Sequence, residues 1–557
     1  MYTEVSSIEM LRKAIEEKKE FIRINEGFYE IDEPLILDNV NNLKIVGNGN
    51  VVISGAKKIM NKSTYPNSLF VNNIRRFKSS AYKVEASAWN RCEREDFIFH
   101  KSVEKYDSRD IFSGFLTDHI ELYKEKPENI EFVFNVGWTQ NMANGKSSEK
   151  NGDKVLINLD YNQFKLLQTK NVTRVGAPTE LKNLKYALKK ATFYHDKNEG
   201  KIEYIPTDDE VKNGYEVMYP VAEQLVILKN CKNICFENIT FSHTTWEYPS
   251  KKGFCEMQST IYKNLNEGLD STKREIPISA ADISYSTEVT FNKCEFSHLG
   301  ATGIYLGRGC KNSKIIDCKI FDIAGCGIIV GGFENIDAHP DDEDSINYKT
   351  LIEKNKIFDI GVLYSGACGI LAGYVNSIKI YNNLIYNIAY TGISLGWGWG
   401  AVDPIAHLVF NSSVKEPFTK PTILKNNHVK GNEIHHIMTS MHDGAGIYTL
   451  SNQDGTIIED NYIHDNGNNE DEPVKKIYIK KSYLLGVTTK WGKISKRKGY
   501  PGGIYLDECS AGITVRNNRI ENVACDYYYH DTGVPGIFET NKFDVEPLDN
   551  PILSFDE

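Results

Sequence analysis

Six times between residues 302 and 507 the chain repeats one short phrase built on Gly-Ile. The copies are TGIYLG (Thr302–Gly307), CGIIVG (Cys326–Gly331), CGILAG (Cys368–Gly373), TGISLG (Thr391–Gly396), AGIYTL (Ala445–Leu450) and GGIYLD (Gly502–Asp507). A second phrase recurs with them, as NKCEFSHL, IDCKIFDI, EKNKIFDI, YNNLIYNI, KGNEIHHI, EDNYIHDN and RNNRIENV. Its aligned Asn or Cys falls at Cys294, Cys318, Asn355, Asn383, Asn432, Asn461 and Asn518. The unit is in the mid-twenties, with residues inserted in some copies. Short strands repeated at this length, with Asn at one turn, predict a solenoid. A leucine-rich repeat would need a Leu lattice that is absent. The expectation is an all-β, right-handed parallel β-helix, each coil stacked about 4.8 Å on the last.

Strand alternation sorts the Gly-Ile phrase into two faces. The Ile after each Gly (Ile304, Ile328, Ile370, Ile393, Ile447, Ile504) and the residue two further on should point inward. Tyr305, Ile329, Leu371, Ser394, Tyr448 and Tyr505 then point outward, followed by Gly307, Gly331, Gly373, Gly396, Leu450 and Asp507. Two readings of the glycines stand side by side: a bare cleft floor, or a turn that needs positive φ. The last copy ends in a carboxylate.

Residues 1–60 read as a capping helix and first coils, 61–225 as an inserted β-rich domain, and 226–557 as the main helix. Within the insert, ENIEFVFNVGWTQ and GKIEYIPTDDEV read as hairpin strands. The net charge of −10 argues against a general nucleic-acid partner. No apolar run is long enough to span a membrane. The amphipathic start MYTEVSSIEMLRKAIEEKKE has no apolar signal core, so a cytoplasmic location is expected, or a secreted one if a leader precedes it. The 11 cysteines are odd in number and lie in apolar contexts, as buried reduced thiols do.

Asp443, in MHDGAGIYTL, stands just before the fifth Gly-Ile strand, and Asp507 ends the sixth. Two carboxylates on adjacent coils are the minimum for glycosidic hydrolysis, one as acid and the other as nucleophile or base. Glu508 is the reserve, pointing away from Asp507 or lying beyond the strand. Trp397 and Trp399, among glycines in TGISLGWGWG, suit sugar stacking. His442, with His435, His436 and His464, could orient carboxylates or sugar hydroxyls. Outward-pointing Tyr448 and Tyr505 would line the cleft. The insertion KKIYIKKSYLLGVTTKWGKISKRKGY (Lys475–Tyr500), with eight Lys, one Arg and no acidic residue, reads as a solvated loop or as a lid for an acidic sugar with Trp491 to stack on a ring. No cofactor or metal is expected. The acidic loop HPDDEDS lacks the Gly of a calcium loop.

ENIEFVFNVGWTQ, FENITFSHTTWEYPS, GVLYSGACGILAGYV, TGISLGWGWG, DGAGIYTLSNQDGTIIEDNYIHD and GGIYLDECSAGITVRNN together resemble glycoside hydrolase family 141 over nearly the whole chain. The resemblance implies a right-handed parallel β-helix with α-L-fucosidase or xylanase activity on oligosaccharides. It also implies that Asp443 and Asp507 match the family's proposed catalytic aspartates. Ala445 stands where the family has a glycine, and the Lys-rich insertion is longer than in typical members. Two other readings stay open. A polysaccharide lyase would need a calcium cluster and a basic side chain on the cleft strands. A non-catalytic carbohydrate-binding β-helix would need no carboxylate pair.

Overall fold

The structure is a computed structural model of the 557-residue chain. It describes residues 2–58, 66–82, 89–91, 114–168, 178–268, 273–404, 418–467, 488–494, 501–530 and 540–544. The chain divides into two units. The first comprises Met1–Gly55, Gln224–Ser242 and Ile278–Glu557, and the second Ala56–Glu223 and His243–Pro277. Residues 243–277, assigned above to the main helix, therefore belong to the second unit.

The first unit is a right-handed parallel β-helix, the hand that parallel crossovers take. Among the described residues its three sheets hold 12, 10 and 11 strands, here called the first, second and third. One coil shows the rule. Lys356–Ile360 lies in the second sheet, Ile370–Ala372 in the third and Lys379–Tyr381 in the first. Like stacks on like from coil to coil: Ile357 pairs Ile385, Ile370 pairs Ile393, and Ile380 pairs Val429. These side chains form the core, each with no exposed surface. Burying one aliphatic side chain this way contributes about 1.5–3 kcal/mol, so the repeated Ile is the main source of cohesion.

Polar groups inside the turn are matched coil by coil. Asn355, Asn383, Asn432 and Asn461 each donate Nδ2–H to the next Asn's Oδ1 at 2.9 Å, ending at Asn518. Their backbone N–H groups donate to the same oxygens at 2.9–3.1 Å. Cys318 takes the place at the start of the ladder, donating its backbone N–H to Asn355 Oδ1. Each buried amide thus finds a partner, without which burial would cost about 1–3 kcal/mol per group.

The glycine of Gly-Ile is required by the stacking itself. A Cβ on Gly327 would lie 2.6 Å from the Gly369 carbonyl oxygen, and one on Gly369 would lie 2.7 Å from that of Gly392. The terminal glycines do not form a bare floor. Gly331 and Gly396 hold φ of +81° and +97°, and a Cβ on Gly396 would reach 2.1 Å from Leu450 O. Of the expected outward row, Ile329, Leu371 and Ser394 are buried, and Tyr305 is half-buried. The Phe333 ring lies against Gly373, and the Tyr374 backbone carbonyl lies against Gly331.

At the N-terminus the helix is shorter than the amphipathic pattern. Thr3–Val5 joins the first sheet, and Ile8–Glu16 forms the helix with Ser7 Oγ accepting from Met10 N–H. Leu11, Ala14 and Ile15 are its buried face. In the second unit Glu131–Val136 and Thr139–Asn151 pair as an antiparallel hairpin. Lys201–Tyr204 pairs antiparallel with Thr192–Asp196, whereas the TDDEV that follows starts a helix, Asp208–Asn213, through a Thr207–Glu210 capping box. Lys78 Nζ lies 2.6 Å from Glu131 Oε1 in the interior of this unit.

Candidate active site

The third sheet ends in three coils whose strands are Gly444–Thr449, Pro501–Leu506 and Cys525–His530, paired in parallel. Register carries one column of tyrosines through them: Tyr448 pairs Tyr505, which pairs Tyr528. The rings meet edge to face, with centroids 5.1 and 4.6 Å apart. One pair further along the Leu506–Tyr529 register come Asp507 and His530.

Asp507 sits just past its strand, 8% exposed. Tyr448 Oη donates to Asp507 Oδ2 in a short hydrogen bond, and Tyr505 Oη donates to Oδ1 at 3.0 Å. His530 Nδ1 lies 2.8 Å from the same Oδ1. Three donors on two carboxylate oxygens suit an ionised group. Burial opposes a charge on His530, but the hydrogen bond to Asp507 and the charges of Asp507, Glu508 and Asp443 outweigh it and push its pKa up to about 9. An Asp507–His530 ion pair follows.

Asp443 approaches from the preceding coil. It takes φ of +60°, which Asp tolerates better than most residues, and its backbone carbonyl accepts from Tyr390 Oη at 2.9 Å. Gly444 is bare because a Cβ there would meet Thr391 Oγ1 at 2.5 Å and the Tyr390 ring at 2.6 Å. Burial and then the Asp507 charge raise the Asp443 pKa to about 7, against the pull of His530 and a hydrogen bond with Tyr505. Asp443 therefore holds its proton well above the usual carboxylate range, beside the carboxyl of Asp507, which takes three donors.

Glu508 lies beyond the strand, the second of the two expectations, and turns toward the same place. Its carboxyl lies 4.0 Å from His530 Nδ1, and burial followed by the Asp507 charge raises its pKa to about 7. Tyr448 and Tyr505 are 2% and 3% exposed, so they orient Asp507 instead of lining an open cleft. Trp397 is buried edge-on against Phe333 with centroids 5.0 Å apart, which leaves no face for a sugar. Trp399 is half-buried and packs against the tyrosine cluster, so its ring is the one beside the site. His442 is exposed next to Asp443. His435 and His464 stand elsewhere, stacked on each other on the second sheet. The backbone of Trp491 lies in Thr488–Ile494, antiparallel to the His530 strand, while its side chain and most of the Lys-rich insertion fall outside the described residues.

His530, Tyr390 and Tyr528 were missed in the sequence. His530 follows YYY in a strand without Gly-Ile. The available signal was position: nine residues on from Asn518 falls in that strand, as ten on from Cys318 reaches Ile328.

The fold and these side chains define a parallel β-helix with a carboxylate cluster on its third sheet. No protein-family model matches the chain. No curated protein matches it either. Among solved structures, one titled "Glycoside hydrolase" is similar with a TM-score of 0.72 at 23% identity, over 96% of this chain and 91% of that one. Weaker likenesses include the A-module of a mannuronan C-5 epimerase of Azotobacter vinelandii, with a TM-score of 0.32 at 11% identity over 58% of this chain and 64% of that one. Another is the surface adhesin PfbA of Streptococcus pneumoniae, with a TM-score of 0.32 at 11% identity over 95% of this chain and 93% of that one.

Proposed function

We propose that this protein is a glycoside hydrolase, with Asp443 as general acid and Asp507 as its ionised partner. The observation that carries the assignment is a carboxyl from each of two adjacent coils, Asp507 held by three donors and Asp443 buried beside its charge. In this reading Asp443 gives its proton to the leaving glycosidic oxygen as the C–O bond breaks. Asp507 either attacks the anomeric carbon or takes a proton from the attacking water. Glu508 accepts a hydrogen bond from a sugar hydroxyl, and Trp399 offers a ring to the sugar face. Likeness of fold to a structure titled as a glycoside hydrolase supports the reading. The finer reading, family 141 with a fucoside or xylan substrate, rests on the sequence motifs.

The test is aryl-glycoside and oligosaccharide cleavage by the parent beside Asp443→Asn and Asp507→Asn, with folding checked by circular dichroism. The panel spans α-L-fucosides, xylo-oligosaccharides and uronate-containing oligosaccharides. Asp443→Asn is expected to keep more activity on nitrophenyl glycosides, whose leaving group needs no proton, than on natural linkages. Asp507→Asn should lose both. Folded variants that cleave at the parent's rate would sink the assignment.

A further inference from the structure

The outer face of the second sheet carries a column of rings, one per coil. Phe321 stacks on Phe358, Phe358 on Tyr386, and Tyr386 on His435, with centroids 4.9–5.0 Å apart and planes within 4°. His435 then stacks on His464 at 4.9 Å. Stacking alone is met by Phe and Tyr in the earlier coils. The change to His comes where a carboxylate joins the column. Glu433 and His435 are two apart on one strand and so share a face, and His464 pairs with His435 across the coils.

We propose that Glu433, His435 and His464 form a site for a divalent transition-metal ion, zinc above all. One donor atom from each side chain lies within 4.8 Å of the others. Small side-chain adjustments bring such atoms to the about 3–4 Å that separates donors sharing one zinc at about 2.0–2.2 Å each. Proton placement points the same way. His464 Nδ1 lies 2.8 Å from Asp465 Oδ2, which puts the ring proton on Nδ1 and leaves a lone pair on Nε2. That Nε2 is buried, makes no hydrogen bond, and faces Glu433 Oε1 at 3.5 Å. Two acceptors facing each other repel, and a cation between them satisfies both. A carboxylate behind a ligating His is the usual support of a zinc ligand. Glu433 has a half-exposed side chain, so an ion enters from solvent and water completes its shell.

The site joins successive coils. The strand Glu433–Ile437 leads into Asp443, and Tyr462–His464 belongs to the coil that continues to Asp507. The ion would clip together the two coils that carry the carboxylates.

The experiment uses the full chain, purified without a histidine tag and stripped with a chelator, titrated with zinc chloride by calorimetry. One zinc per chain is expected at micromolar affinity or tighter, with a Tm higher by a few degrees. His435→Phe and His464→Phe, which keep the column of rings, should each weaken binding at least about 30-fold. Asp465→Asn should weaken it about 10- to 100-fold. Asp507→Asn should bind as the parent does, which separates this site from the carboxylate cluster on the third sheet. No saturable binding, or binding unchanged in both Phe variants, overturns the proposal.

Discussion

The strand Ile393–Leu395 and the strand Pro501–Leu506 belong to one sheet and one column, yet they end in opposite ways. After the first comes Gly396, pressed against the Leu450 carbonyl at φ of +97°, where any side chain collides. After the second comes Asp507, with Tyr448, Tyr505 and His530 gathered around it. The difference is what the next coil brings. Where the following coil packs backbone against the strand end, only glycine fits. Where it brings the His530 side chain alongside instead, a functional group has room and a partner. In a solenoid, chemistry collects where the packing rule relaxes.

Exchanging the two ends tests this directly. Asp507→Gly should leave the chain folded, because the backbone bond from Asp507 N–H to Thr449 O survives. Activity should fall about 10⁴-fold in initial-rate assays, as removing a group that acts directly does. The reverse change, Gly396→Asp, should destabilise the chain by about 3 kcal/mol or more through overlap and left-handed strain, read as a lower midpoint in urea. Equal effects on both properties in the two variants would erase the distinction between packing ends and functional ends.

Much of this was readable beforehand because a solenoid writes its core repeatedly. The aligned Asn positions became the amide ladder, and the Ile after each glycine became the core. Asp507 was visible as the exception to a repeat. His530 was not, since YYYH keeps the register of GGIYL without its letters. The burial of Trp397 and of the outward row was not visible either. Alternation tells which side of a sheet a residue faces, but not what covers that side. The raised pKa of Asp443 lay beyond reach for the same reason, as it depends on burial and on the Asp507 charge from the next coil.

His530 sharpens the comparison next, being the group that the last strand adds. Its positive charge pulls the Asp443 pKa down, so His530→Gln should raise that pKa. With Asp443 acting as the acid, parental activity should decline as pH rises through about 7. In His530→Gln the alkaline limb of kcat/KM should move to higher pH, with the maximal rate about 10- to 100-fold lower because Asp507 loses a donor. An unmoved limb would mean that the imidazolium does not reach Asp443.

The smallest effect concerns stability and has the opposite sign from the activity loss. Asp443 has a folded pKa of about 7 against an ordinary value of 3.8, so between these pH values the folded chain holds a proton that the unfolded chain has released. Stability contributed by this group is therefore present at acid pH and falls as pH rises from about 4 to about 7, then stays level. Asn at this position has no proton to lose. Asp443→Asn should match the parent near pH 4 and exceed it at pH 8 by about 1–3 kcal/mol, less than the full shift would give because the side chain is partly solvated. Thermal unfolding at the two pH values measures it. Gly396 offers the contrast, since its substitution penalty is steric and should be the same at both. A pH-independent Asp443→Asn effect would place Asp443 among the packing residues, and its carboxyl would then have no strain left to explain its use as an acid.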